Sequence, residues 1–107
     1  MSQVTNTAFT PVKIAFIGAG NMTQAIIKGM VANGYPSDLI MATNPSLPKL
    51  DALHATTGCQ ISQDNAAALR FANIVVLAVK PQMLAQVCAD LPAADVQATQ
   101  FISIAAG

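Results

Sequence analysis

Glutamate and tryptophan are absent from this chain, and charge of either sign is sparse. Five basic residues, Lys13, Lys28, Lys49, Arg70 and Lys80, stand against five aspartates, Asp38, Asp51, Asp64, Asp90 and Asp95, in 107 residues. With 9% of residues charged and 53% hydrophobic, the chain lies far below the roughly 25% charged content of an average soluble domain. Part of its surface is therefore expected to be covered by a further domain or a partner subunit, in preference to an unusually apolar monomer. A formal net charge of zero gives no ground for a nucleic-acid or acidic-membrane partner.

Other absences narrow the class further. The longest uninterrupted apolar run, Ile74 to Val79, is far too short to cross a bilayer. Met1 to Thr10 holds no basic residue and no apolar centre, so it does not resemble a secretory leader. Residues 1–11 are expected to be a flexible tail and 12–107 a single domain, a length that supports one core and not two. Only two cysteines occur, Cys59 and Cys88, and neither they nor the lone His54 have companions at metal-ligand spacing. Reduced, packed thiols in a cytoplasmic protein are expected in preference to a disulfide, and no metal site is expected. No carboxylate pair and no nucleophile elbow is present. His54 falls on or beside an apolar helical stripe, which suits a packed or surface histidine better than a catalytic one.

What the chain does contain is a regular alternation. Lys13 to Ile17 is a short apolar strand. After a glycine turn, Met22, Ile26, Ile27, Met30 and Val31 recur at helical spacing on one face. Asn33-Gly34 ends that helix, and Tyr35-Pro36-Ser37-Asp38 is turn chemistry leading into a strand over Leu39 to Thr43. Ser46 is an N-cap candidate for a helix whose face carries Leu47, Leu50, Leu53 and His54, closed by Gly58. Cys59 to Ser62 makes a brief strand, Asp64-Asn65 caps a short helix over Ala66 to Phe71, and Ile74 to Val79 is a strand apolar enough to be buried on both faces. Lys80-Pro81 opens a helix with Met83, Leu84, Val87 and Leu91 inward, and Phe101 to Ile104 is a fifth strand running into Ala105-Ala106-Gly107. Strand and helix in strict alternation imply a doubly wound α/β fold around a parallel sheet, Rossmann-like in character. Ligands of such sheets bind beyond the carboxyl ends of the strands. The turns after Ile17, Val79 and Ile104 should therefore line one crevice.

The first of these turns, Gly18-Ala19-Gly20-Asn21-Met22, is the chain's organising stretch. Gly18 suits a tight strand-to-helix turn, Gly20 keeps a side chain out of a phosphate's path, and the helix start offers unpaired N–H groups. Its third glycine position is Thr23. Those extra atoms call either for a helix standing further from the strand or for a hydroxyl bonded backward to a carbonyl. About 20 residues past the glycines, an NAD site places Asp or Glu on the ribose hydroxyls. Here the residues are Ala42-Thr43-Asn44-Pro45-Ser46, with no acid, and Asp38 lies at the opposite end of the strand. Asn44 and Ser46, with Lys49 as a distant countercharge, suit a 2′-phosphate; a plain loop with a helix cap is the alternative. Lys80 is the basic residue at a strand carboxyl end and is assigned to the cofactor's edge, more through backbone than through charge. Met22 lies in the turn, within reach of a cofactor.

Three separated motifs agree in order and spacing: Phe16-Ile17-Gly18-Ala19-Gly20-Asn21-Met22, Ala78-Val79-Lys80-Pro81 and Ser103-Ile104-Ala105-Ala106-Gly107. Together they resemble the amino-terminal domain of the pyrroline-5-carboxylate reductase family, from about Val12 to the last residue. The resemblance implies an NADPH-preferring enzyme that reduces pyrroline-5-carboxylate to proline in proline biosynthesis. By matching positions it implies Ile17, Gly18, Ala19, Gly20, Asn21 and Met22 around the pyrophosphate, and Asn44, Ser46 and Asn65 at the 2′-phosphate. It places Ala78, Val79, Lys80 and Pro81 along the nicotinamide-side ribose, and Ala105, Ala106 and Gly107 near the nicotinamide. Thr23 departs from the small residue usual in the family.

Members of that family continue into a helical carboxyl-terminal domain that holds the substrate, completes the active site and forms the dimer. The catalytic and substrate-binding residues are expected there. This chain is therefore expected to bind cofactor without turning over by itself, because hydride transfer depends on holding both reactants in reacting geometry. A stand-alone dinucleotide-binding module is the alternative of a different class, and the cofactor domain of a related NADP-dependent dehydrogenase is another.

Overall fold

A computed structural model of the chain describes residues 11–92 and 100–104. The tail over residues 1–10 and the Ala105-Ala106-Gly107 segment lie outside the described residues. The elements follow the expected order. They are β1 (Ile14–Ile17), α1 (Asn21–Ala32), a 3₁₀ turn (Ser37–Leu39), β2 (Ile40–Thr43), α2 (Leu47–Thr57) and β3 (Gln60–Ser62), then α3 (Asn65–Phe71), β4 (Ile74–Leu77), α4 (Pro81–Ala89) and β5 (Gln100–Ser103).

All five strands run parallel in the spatial order β3-β2-β1-β4-β5. The chain thus builds outward from β1 to β3 and returns to β1's other side with β4. Register aligns the strand ends: Ile17 sits opposite Thr43 and Leu77, Thr43 opposite Ser62, and Leu77 opposite Ser103. Every loop that leaves a strand carboxyl end therefore starts from one level. The order reverses between β1 and β4, where the following helices depart to opposite faces and leave a crevice.

Alternation within the strands makes the two cores. Phe16, Ala42 and Val76 point to one face, where they pack with Ile27 of α1 and Leu50 and Leu53 of α2. Ala15, Ile17, Met41, Val75 and Leu77 point to the other, against Ala68 and Leu69 of α3 and Leu91 beyond α4. Ile17, Ile27, Ile40, Leu50, Leu53 and Val75 are among the large side chains fully buried; each such side chain contributes about 1.5–3 kcal/mol relative to leaving it in water. Strands buried on both faces explain why β1 and β4 are nearly continuous apolar runs.

Several boundaries and faces differ from the expectation. The second strand begins at Ile40, because Ser37–Leu39 closes a 3₁₀ turn in which Leu39 N–H donates to Pro36. The fourth strand ends at Leu77, and Ala78 and Val79 remain apolar because they pack against the two cores, Ala78 with Phe16 and Ile27 and Val79 on the opposite side, after the backbone has left the sheet. Leu47 and Met83 are exposed rather than inward, and α4 fully buries none of its own residues. Ser46 holds the N-cap position of α2 without a side-chain capping bond. His54 is exposed, and its ring Nδ1–H donates to the Cys59 carbonyl at 2.6 Å. Both cysteines are free, but only Cys59 is packed; Cys88 is exposed near the end of α4. Burial pushes the Cys59 thiol above its ordinary range, partly offset by hydrogen bonding with Thr57.

Candidate functional site: a donor-lined crevice at the strand ends

Gly18 is fixed by two demands at once. Its φ of 108° is in the left-handed region, and an added Cβ would lie 2.3 Å from the Ala78 carbonyl oxygen. Two backbone bonds fix the turn there: Ala78 N–H donates to Ile17 O at 2.9 Å, joining the β1 and β4 loops, and Gly18 N–H donates to Thr43 O at 2.8 Å, tying the turn to the end of β2. Gly20 has a different reason to be glycine. Its backbone is ordinary (φ −77°, ψ −172°), and a Cβ there would meet nothing within 4 Å. The space above it is open to a ligand. Gly20 is also the N-cap of α1, and the first helical bond runs from Gln24 N–H to Gly20 O at 3.0 Å. The N–H groups of the first helical turn are left as donors beside that space.

The crevice over this turn has a volume of about 710 Å³. Ile17, Gly18, Ala19, Gly20, Asn21 and Met22 line it on the β1 side, Asn44 and Asn65 beyond β2 and β3, and Ala78, Val79 and Lys80 beyond β4. Eleven positions named from the sequence are thus brought to one place. Ser46, half-buried at the start of α2, and Pro81, exposed in the first turn of α4, are not among the lining residues. Ala105 and Ala106 fall outside the described residues. Lys49, named as a countercharge, lines the crevice from the first turn of α2. Lys49 and Lys80 are the charged lining residues among those described, so the crevice carries positive charge and no carboxylate. A second, more open hollow beside Pro11, Met30, Gly34 and Tyr35 lies at the opposite, amino ends of the strands.

The β2 end is held by side-chain bonds that the sequence did not reveal. Asn44 Oδ1 accepts the Ala19 N–H at 3.1 Å, so that this amide of the glycine turn is committed inside the protein. Asn65 Oδ1 accepts from the Thr43 hydroxyl at 2.6 Å. Asp64 caps α3 by accepting the Ala66 N–H at 3.0 Å, which holds the helix start that carries Asn65. Thr43, Pro45, Met83 and Val87 also line the crevice. Of these, Thr43 had a legible signal: it ends a strand immediately before Asn44.

Of the two accommodations open to Thr23, the backward hydroxyl bond is not the one seen. Its side chain is 1% exposed, its hydroxyl has no hydrogen-bond partner among the described residues, and it lines the crevice. The carbonyl four residues back, Ala19 O, instead accepts from Gln24 Nε2 at 3.0 Å.

The family model described as NADP oxidoreductase, coenzyme F420-dependent, matches residues 13–107. The chain belongs to that family. A protein named pyrroline-5-carboxylate reductase from Vibrio alginolyticus is 53% identical over 95 residues, a match covering 89% of this chain and 35% of that protein. The solved structure of a pyrroline-5-carboxylate reductase from Coxiella burnetii superposes with a TM-score of 0.81 at 40% identity, covering 90% of this chain and 36% of that one. A Plasmodium falciparum pyrroline carboxylate reductase, solved with NADP bound, superposes with a TM-score of 0.71 at 25% identity, covering 88% of this chain and 33% of that one. The chain spans about a third of the length of the curated relatives it matches, 35% of the Vibrio alginolyticus protein.

Proposed function

We propose that this chain is the NADPH-binding domain of an imine reductase that reduces pyrroline-5-carboxylate to proline, a step of proline biosynthesis in the cytoplasm. The observation that carries this is the crevice itself. A glycine cradle, two asparagines and Lys49 converge with no carboxylate among the described lining residues, in a chain 53% identical to a protein of that name.

The residues fit a phosphorylated dinucleotide. Open space above Gly20 admits a pyrophosphate against the first N–H groups of α1. Asn44, Asn65 and Lys49 meet the adenosine 2′-phosphate, where an NAD site would present an acid, and Ser46 joins them from the N-cap of α2. Ala78, Val79, Lys80 and Pro81 follow the nicotinamide-side ribose; for Ala105 and Ala106, outside the described residues, the family resemblance implies a role at the nicotinamide. When bound, the cofactor supplies a hydride to the imine carbon while the imine nitrogen carries a proton, giving proline and the oxidised cofactor. The chain's own contribution is to hold the donor: Gly18 keeps the two loops in contact, and Met22 and Met83 give the crevice an apolar wall. Residues that hold the imine's carboxylate belong to the helical region that continues the relatives' chains, and that region also forms a homo-oligomer.

The test is turnover. Residues 12–107 joined to the remaining two thirds of the Vibrio alginolyticus relative should reduce pyrroline-5-carboxylate with NADPH, and the 107-residue chain alone should not. A folded chimera without activity, or equal rates with and without the added region, would overturn the proposal.

A further inference from the structure

An asparagine carries an acceptor and two donors, so the group it selects depends on which half the protein has already used. Asn44 and Asn65 are alike in this respect. The Oδ1 of Asn44 is committed to the Ala19 N–H at 3.1 Å, a contact that only an acceptor can make. The Oδ1 of Asn65 is committed to the Thr43 hydroxyl at 2.6 Å. That separation suits O–H···O, whose typical length is about 2.7–2.8 Å, rather than N–H···O at about 2.9–3.0 Å. With the hydroxyl donating in this way, the Asn65 NH₂ is the half of the amide left without a protein partner. Among the described residues neither amide nitrogen has a protein partner, and both asparagines line the crevice together with Lys49. The β2 end of the crevice is therefore furnished with donors, its asparagine acceptors turned inward.

Such a site distinguishes two chemistries. A ribose diol donates hydrogen bonds and is best met by a carboxylate; a phosphate monoester offers only acceptors and negative charge, and is best met by N–H groups. We propose that Thr43 is a positioning residue for cofactor selectivity: its buried hydroxyl holds the Asn65 acceptor and so presents the Asn65 NH₂ to the 2′-phosphate. Thr43 is 0% exposed at the last position of β2 and itself reaches no solvent. Its effect passes through Asn65. This inference rests on the NADPH-binding function proposed above and assigns a selectivity role to a residue that the glycine turn and the family motifs do not include.

The experiment measures dissociation constants for NADPH and NADH on the 107-residue chain and three variants. Thr43→Val keeps the shape of the side chain and removes the hydroxyl. It should weaken NADPH about ten-fold, the scale of one hydrogen bond to a charged group, while NADH affinity stays within about two-fold. Thr43→Ser restores the hydroxyl and should restore the wild-type ratio. Asn65→Asp replaces the donor by an acceptor at nearly constant shape, and should move preference toward NADH. An unchanged ratio in both Thr43→Val and Asn65→Asp, or parallel loss of both cofactors in Thr43→Val without rescue by Thr43→Ser, would overturn the role of Thr43. If the wild-type chain shows no preference for NADPH, the proposed function fails first and takes this inference with it.

Discussion

Gly18 and Gly20, separated by one residue, answer to different forces. Gly18→Ala places a Cβ against the Ala78 backbone and forces a left-handed alanine. It should cost at least the roughly 1–3 kcal/mol of such strain, seen as a lower urea midpoint before any ligand is added. Gly20→Ala has open space and an ordinary backbone. Its stability should stay within about 1 kcal/mol of wild type, while NADPH affinity falls about ten-fold or more, equivalent to roughly 1.4 kcal/mol. Equal affinity in Gly20→Ala would mean that the pyrophosphate does not pass over this residue. Thr23 gives a third test. Thr23→Val removes a buried, unpartnered hydroxyl and should raise stability by about 1 kcal/mol in urea unfolding. A loss of stability would show that an ordered water satisfies the hydroxyl. The glycine turn was legible in sequence because its chemistry is local. The Thr43–Asn65 bond was not, because it joins residues on different elements.

Among the described residues, α3 is the shortest α-helix and carries Asn65 at its start. Its stability depends on the Asp64 cap: Asp64→Ala should cost about 1 kcal/mol. Asp64→Asn, which retains an accepting oxygen, should stay close to wild type. The Asp64–Arg70 pair, 3.6 Å apart with both side chains largely exposed, contributes little; equal destabilisation by both variants would reverse that ranking. Element order and type were readable throughout, since strands buried on both faces and helices buried on one leave different periods. Ile74 to Val79 is one apolar run in sequence, but only Ile74–Leu77 is strand, because Ala78 and Val79 go on packing against the cores after the backbone has left the sheet. Met83 fits a helical stripe, yet it lines the crevice and is 50% exposed. A pattern of hydrophobicity records that a residue is to be covered, not whether the cover is the sheet or a ligand.

For the whole molecule, the strand order β3-β2-β1-β4-β5 and the common level of the strand ends bring the distant motifs together. Sparse charge goes with apolar side chains left exposed away from the crevice, Leu47 and Ile102 among them, in a chain that spans 35% of the Vibrio alginolyticus protein. The sheet and the glycine cradle follow from patterns within the sequence; the selectivity of the β2 end depends on which amide oxygens the fold has already committed. The most direct measurement is a calorimetric titration of NADPH and NADH into the 107-residue chain at fixed ionic strength. NADPH should bind about ten-fold or more tightly than NADH, as expected for a phosphate met by oriented donors. NADH binding as tightly as NADPH, or more tightly, would contradict the assignment of Asn44, Asn65 and Lys49 to the 2′-phosphate.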